Sequence, residues 1–183
     1  MQCPICKDNA LQHVTLEMDV PAFKCQKCEG IWISSNEYLR WHRAHRDNLP
    51  EKSADDSSAP TWDTQELKLC PECGHILTRY RVLPNVRFYL DRCGNCNGVW
   101  LDKNEWEVLV AHNLHDKVNE LFTQPWQAKV HQAEAHAMLD KLYLEKFGAK
   151  DYARIQEIGN WLKLHPQRAM LLAYLQANDP YKL

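Results

Sequence analysis

The sequence predicts a small, metal-stabilised α+β fold: two β-hairpins, each followed by a short helix, and an all-α region at the C-terminal end. Two observations lead to this prediction. The chain has 183 residues and 8 cysteines, and every cysteine belongs to a Cys-x-x-Cys pair that lies before residue 97. The cysteine-free remainder carries apolar residues at a spacing of three to four, which is typical of amphipathic helices.

The cysteines are spaced for two metal sites. Between the second and third cysteine of each half lie 18 and 19 residues, enough for two short strands and a turn that bring the second pair opposite the first. Four thiolates around one point are the ligand set of a tetrahedral zinc site. We therefore predict two structural Zn²⁺ ions per chain. The candidate ligands are Cys3, Cys6, Cys25 and Cys28 in the first site, and Cys70, Cys73, Cys93 and Cys96 in the second.

Three other uses of these cysteines remain open. The N-terminal residues MQCPIC do not form a secretory signal, so we expect a cytoplasmic location, where disulfides are rare. Four redox-active pairs at two matched spacings would be an unusual arrangement. Iron takes the same four-thiolate ligand set, and the sequence separates it from zinc only poorly.

The cysteine region is an internal repeat with an offset of 67–68 residues. Beyond the cysteines, the copies share Cys-Pro, a glycine two residues after the last cysteine, a tryptophan two further on, and Asn-Glu-aromatic. These shared positions are Gly30 and Gly98, Trp32 and Trp100, Asn36-Glu37-Tyr38 and Asn104-Glu105-Trp106. We expect the glycines to adopt a positive φ and the tryptophans to cover the small core beside each metal.

A helix is predicted after each hairpin. Ser34-x-x-Glu37 is a capping box, and Asp102-x-x-Glu105 is the same box with aspartate in the first position, which predicts helices over 35–45 and 103–112. A catalytic role for Glu37 and Glu105 is the alternative. The capping role explains their spacing, and no nucleophile or base accompanies them.

The repeated pattern Cys-Pro-x-Cys, then Cys-x-x-Cys-x-Gly-[Ile/Val]-Trp-[Ile/Leu]-x-x-Asn-Glu, resembles the bacterial zinc-ribbon proteins of the transcription factor IIB type. The resemblance covers residues 3–42 and 70–110, and the first copy is the looser one, with Ile33-Ser34 in place of Leu101-Asp102. It implies the ribbon fold and a structural metal. It implies little about function, since most bacterial members of the family look like uncharacterised adaptors.

These patterns divide the chain into four parts: ribbon 1 (1–45), a flexible acidic linker (46–65), ribbon 2 (66–112) and a C-terminal helical region (113–183). Trp62 is an isolated aromatic residue in the linker, for which docking inside the protein is favoured over a partner contact. Pro125 and Gly148 bound a predicted helix over 125–147. Asp151 caps a second helix, and Pro166 opens a third.

The apolar residues of these three helices are predicted to form a bundle core, with a partner-binding groove as the alternative. They are Trp126, Val130, Ala133, Ala137, Met138 and Leu142 in the first helix, Tyr152, Ile155, Ile158 and Leu162 in the second, and Met170, Leu171, Tyr174 and Leu175 in the third.

The motifs give no sign of catalysis. Four thiolates leave no open position on a zinc ion, and the sequence contains no glycine-rich phosphate loop and no recognisable nucleophile–base arrangement, so we expect a non-enzyme without a small-molecule substrate. The pairs His42/His45 and His112/His115 have a spacing that can bind metal. The preferred interpretation is that these histidines lie near a helix C-terminus, where the helix dipole favours a partial positive charge.

Two functional hypotheses follow, with a third behind them. The net charge of −2 argues against bulk coating of nucleic acid. Alternation on the predicted hairpin of ribbon 2, Thr78–Leu90, nevertheless places Arg79, Arg81, Arg87 and Tyr89 on one face, suited to phosphate contact and base stacking. A transcription- or nucleic-acid-associated binding module is thus the first hypothesis. A protein–protein adaptor acting through residues 113–183 is the second, and a thiol-redox or chaperone-like zinc protein the third. No membrane partner is expected, because no apolar run approaches about 20 residues.

Overall fold

Each half of the cysteine-rich region folds into three strands and a helix, in the same order. The computed structural model describes residues 1–45, 63–84 and 89–181. The elements of the first half are β1 (Gln12–Thr15), β2 (Pro21–Lys24), β3 (Ile31–Ile33) and α1 (Ser35–His45). Those of the second half are β4 (Leu77–Arg81), β5 (Tyr89–Cys93), β6 (Val99–Leu101) and α2 (Glu105–Ala111). The predicted α+β class is confirmed, and both helices lie within or at the predicted limits.

The two halves share a single antiparallel sheet of six strands in the order β1-β2-β3-β6-β5-β4. Strands β3 and β6 pair at its centre, with Trp32 opposite Trp100, Ile31 opposite Leu101 and Ile33 opposite Val99. This register relates the halves by an approximate two-fold axis that passes between the two tryptophans. All six residues of the central strands are buried, as expected for strands covered on both faces.

The two faces of the sheet carry two different cores. Because side chains alternate along a strand, Trp32 and Trp100 lie on the face with the cysteines, whereas their neighbours Ile31, Ile33 and Leu101 lie on the opposite face. On that second face, α1 and α2 contribute the aromatic and aliphatic side chains of the larger core. These include Tyr38, Trp41, Trp106 and Leu109.

The chain after α2 completes the larger core. A short 3₁₀ turn, Glu120–Phe122, buries Leu121 and Phe122. The Tyr38 hydroxyl donates to the carbonyl of His115 (3.0 Å) and accepts from the N–H of Val118 (3.1 Å), which attaches this segment to ribbon 1. Residues Met1–Ala133 accordingly form one compact unit, and Glu134–Leu183 form a second.

The C-terminal region contains three helices, as predicted: α3 (Gln124–Phe147), α4 (Ala149–Leu164) and α5 (Arg168–Gln176). Gly148, with φ of +77° and ψ of 157°, separates α3 from α4 in a backbone conformation that is open to glycine and strained for other residues. Helix α4 begins at Ala149, so Asp151 lies in its first turn and not at its cap.

Most apolar side chains of these helices are not in a core. Val130 and Leu162 are buried, whereas Met138, Met170 and Leu175 are 76%, 69% and 64% exposed. The predicted bundle core is therefore largely wrong, because three helices of this size do not enclose all the faces that their sequence makes apolar.

In the described ranges, no helix combines the length and apolarity needed to cross a membrane. Residues 46–62, with most of the predicted linker and Trp62, lie outside the described residues.

Candidate metal centres

The structure brings the eight predicted ligands together in two groups of four sulfurs. Within each group the sulfurs all lie within 4.8 Å of one another. Neighbouring sulfurs are 3.6 Å apart for Cys3 and Cys28 and 3.9 Å for Cys25 and Cys6. The second group has 3.5 Å between Cys70 and Cys96 and 3.4 Å between Cys73 and Cys93. A zinc–sulfur bond of about 2.3 Å gives a tetrahedron with an edge of about 3.8 Å, so both groups fit a four-thiolate zinc ion.

Tight backbone turns position the sulfurs. In each turn the residue four positions after the first cysteine donates its N–H to that cysteine's carbonyl, at 2.9–3.0 Å. The same residue is left-handed in all four turns: Lys7 (φ 60°), Glu29 (60°), Gly74 (72°) and Asn97 (61°). The fourfold recurrence shows that the two halves build their sites in the same way.

The expectation for Gly30 and Gly98 is wrong, since neither has a positive φ. The left-handed residue is the one before each glycine. A β-carbon at Gly30 would lie 2.2 Å from Cζ2 of Trp100, and a β-carbon at Gly98 would lie 2.2 Å from Cζ2 of Trp32. Each position therefore requires glycine because the tryptophan of the opposite half lies on its backbone.

The two tryptophans line the metal sites, as predicted. Both are fully buried and belong to one apolar cluster with Cys3, Cys25, Cys70 and Cys93, against which the other four cysteines pack. Their indole N–H groups have different acceptors. Trp32 donates to Oε1 of Glu72 (3.0 Å), between the cysteines of the other half, whereas Trp100 donates to Oδ1 of Asp102 (2.7 Å).

The thiols of each group differ in acidity. Burial raises the pKa of Cys3 and Cys70 to about 11 and raises those of Cys28 and Cys96 still further. The backbone N–H of His75 lowers the pKa of Cys73 to about 6. At Cys25, burial is outweighed by backbone N–H groups of the following turn, and the pKa falls to about 7. A metal must therefore displace protons from at least two thiols in each site.

Sequence reasoning missed a buried polar network beside ribbon 2. Lys68 is 2% exposed and donates to Oδ2 of Asp91 (2.6 Å) and to the carbonyl of Thr64 (3.0 Å), while its Nζ lies 3.3 Å from Oδ2 of Asp102. That same oxygen accepts from the N–H and hydroxyl of Thr64 (2.7 and 2.6 Å). The network fixes residues 64–68 against the second half of the sheet. In the repeat, Asp102 lies where the first copy has Ser34, and this difference is the sequence signal for the network.

Glu105 borders this network. Its Oε2 accepts from the N–H of Asp102 (2.7 Å), which is one half of the predicted capping box. The Asp102 carboxylate accepts hydrogen bonds from the network and from Trp100. It does not cap the helix, so the other half of the box is not formed. Burial, followed by the charge of Asp102, raises the pKa of Glu105 well above its usual value. Asp63, Asp102 and Glu105 lie within ligand distance of one another, but the oxygens of Asp63 and Asp102 already bind Arg79, Thr64, Lys68 and Trp100.

The arginine face of the β4–β5 hairpin is present but partly engaged. The register places Arg79 opposite Asp91 and Arg81 opposite Tyr89, so Arg79, Arg81 and Tyr89 share one face, as the alternation predicts, and Asp91 lies on it too. Both oxygens of Asp63 accept from Nη2 of Arg79 (2.6 and 2.7 Å), whose guanidinium lies 4.5 Å from the Tyr89 ring centroid. Arg81 donates to the carbonyl of Pro84 (3.1 Å). Arg87 lies outside the described residues.

The histidine pairs lie in aromatic surroundings. His45 stacks on Trp41, and His42 stacks on Tyr38. His115 is buried between the rings of Trp41 and Trp106, and His112 is the C-cap of α2. Among the described residues, no group able to hold a metal includes a histidine.

Comparison with known proteins identifies the cysteine-rich region. The family model described as "Transcription factor zinc-finger", the zinc ribbon of transcription factor IIB, matches residues 2–44 and 69–112. These two segments are zinc ribbons of that family, and the resemblance seen in the repeat is confirmed. The cysteine-rich region is thus a zinc-binding module with two four-cysteine sites. No curated protein and no solved structure gives a significant match to the chain.

Proposed function

We propose that this protein is a non-enzymatic adaptor, in which a double zinc ribbon carries a helical unit that binds a protein partner. The observation that supports it is the distribution of exposed apolar side chains. Of the 19 large apolar side chains exposed in the described residues, 14 belong to residues 138–181. Concentrated apolar exposure of this kind marks interaction surfaces in soluble proteins.

The ribbons suit a supporting role. Four thiolates around a zinc ion leave no coordination position for a substrate. The free energy of zinc binding stabilises the fold of the ribbons instead. A groove of about 740 Å³ in the helical unit is lined by α3 and α4, with the apolar side chains of Leu139, Tyr143, Phe147 and Ile155 beside polar ones such as Asp140 and Lys163. Such a lining accepts apolar side chains of another polypeptide.

The test is capture of a partner from the native host with the full chain as bait, followed by reconstitution from purified components. We expect Met170→Ser with Leu175→Ser to abolish binding, because both side chains are exposed anchors on α5. Leu67→Ser with Leu69→Ser is the matched control, since those leucines are 68% and 49% exposed outside the helical unit. Equal binding by both double variants would contradict the adaptor proposal.

Nucleic-acid binding in transcription is the second candidate, and the transcription-factor description of the matched family supports it. Tyr89 and Arg81, on one face of the hairpin, would stack on a base and contact a phosphate. We expect Arg81→Ala to weaken DNA or RNA binding and to reduce its salt dependence, because the substitution removes a positive charge that would contact a phosphate. Salt-independent or absent binding would remove this candidate.

A further inference from the structure

The two tryptophans at the centre of the sheet are exchanged between the ribbons. Strands β3 and β6 place Trp32 and Trp100 opposite each other, and each ring extends onto the glycine that follows the second cysteine pair of the other ribbon. From this exchange we propose that the two sites bind zinc cooperatively, so that the ion in one ribbon strengthens the site in the other.

The first step links each tryptophan to the opposite ligands through a glycine. The ring of Trp100 lies against Gly30, and the carbonyl of Gly30 accepts from the N–H of the ligand Cys25 at 2.9 Å. By the two-fold relation, the ring of Trp32 lies against Gly98, whose carbonyl accepts from the N–H of Cys93, also at 2.9 Å. A displaced tryptophan would thus disturb the cysteine turn of the opposite ribbon.

The second step is a hydrogen bond from one ribbon to the other. Trp32 donates its indole N–H to Glu72, which lies between the ligands Cys70 and Cys73. The equivalent position in the first ribbon is Ile5, which has no acceptor, and Trp100 donates within its own ribbon to Asp102. This bond therefore connects ribbon 1 directly to the first cysteine turn of site 2.

The third step is the shared core. All eight cysteines pack with both tryptophans in one apolar cluster, so neither site has a core of its own. A ribbon of about 40 residues depends on its metal to fold. When one ribbon loses zinc, its tryptophan is no longer held over the other site. Because coupling between two binding sites is reciprocal, each ion must raise the affinity for the other by the same factor.

The test compares stability constants measured by competition with a zinc chelator. The wild-type chain gives the overall constant for two ions. Cys70→Ser with Cys73→Ser isolates site 1, and Cys3→Ser with Cys6→Ser isolates site 2. We expect the wild-type constant to exceed the product of the two single-site constants by at least about tenfold. Equality within twofold would overturn the proposal.

A second pair of variants tests the route and keeps both sites intact. Glu72→Ala removes the acceptor of the buried Trp32 indole N–H. We expect the factor by which the two-ion constant exceeds the product of the two single-site constants to fall by about tenfold. Glu72→Gln keeps an oxygen acceptor and is the matched control, which we expect to retain the excess. Since Glu72 is exposed, neither substitution adds or removes a side chain in the core. An excess that Glu72→Ala leaves unchanged would overturn the assignment of coupling to this bond.

Discussion

Substitution of Gly98 by alanine should reveal how tightly the two ribbons interlock. The new β-carbon would lie 2.2 Å from Cζ2 of Trp32 and 2.7 Å from Cη2, whereas an ordinary contact begins near 3.4 Å. The indole would have to move by about 1.2 Å, but it is fully buried and its N–H is bonded to Glu72.

The cost has two parts. Forcing a side chain out of a packed core costs about 1–3 kcal/mol. Loss of the indole hydrogen bond in a buried position adds about 1–3 kcal/mol. We therefore expect Gly98→Ala to reduce the free energy of unfolding by about 3 kcal/mol, which lowers the melting temperature by about 10 °C for a unit of this size. Gly30→Ala should have a similar effect, because the contact with Trp100 is the two-fold equivalent.

The assay is thermal and denaturant unfolding in excess zinc. Gly94→Ala is the matched control, since Gly94 lies in the same cysteine turn, does not have a positive φ and has no heavy atom within 4 Å of an added β-carbon. We expect it to change stability by about 0.5 kcal/mol or less. If Gly98→Ala were as stable as Gly94→Ala, the exchange of tryptophans would not exist in solution.

The remaining predictions concern the thiols, a buried carboxyl and an ion pair. Zinc affinity should rise at least about 100-fold per pH unit per site near pH 7, since the thiols of the unfolded zinc-free ribbons have an ordinary pKa of about 8.5 and release their protons on binding; a slope of one proton or fewer in chelator competition would contradict this. The raised pKa of Glu105 means that folding favours its protonated form, so stability falls as pH rises from the ordinary carboxyl pKa towards the raised one. Glu105→Gln should consequently stabilise the protein by about 1 kcal/mol at pH 8, with a smaller gain at pH 5.5; an equal effect at both values would argue against it. Arg79→Lys should cost about 1 kcal/mol in urea unfolding, because lysine cannot reproduce the guanidinium contacts with both oxygens of Asp63 and with Tyr89; a neutral substitution would show that these contacts are not stabilising.

The sequence was sufficient for features that depend on local spacing. The cysteine pairs, the helix after each ribbon and the helix end at Gly148 all follow from residues within one turn of each other. The exchange of Trp32 and Trp100 was not predictable, since no spacing tells which strand of one ribbon pairs with the other. For that reason the sequence indicated the glycines only as turn residues. The tryptophan rings that exclude a side chain at these positions lie 70 and 66 residues away along the chain.

The differences between the two copies of the repeat mark the hydrogen-bond acceptors of the central tryptophans. Asp102 replaces Ser34 and Glu72 replaces Ile5, and both acidic residues accept an indole hydrogen bond. The C-terminal helices show the opposite problem. Their apolar periodicity is real, but periodicity does not distinguish a side chain buried in its own chain from one exposed for a partner, as Leu162 and Met170 illustrate.

We infer that two zinc ions stabilise one double ribbon. The most direct measurement is the metal content of the purified native protein, combined with a count of reactive thiols before and after chelation. We predict two zinc ions per chain, cysteines protected until zinc is removed, and loss of the sheet's dispersed NMR signals when it is. A metal-free chain that retains those signals, or one with iron or disulfides in place of zinc, would contradict the account.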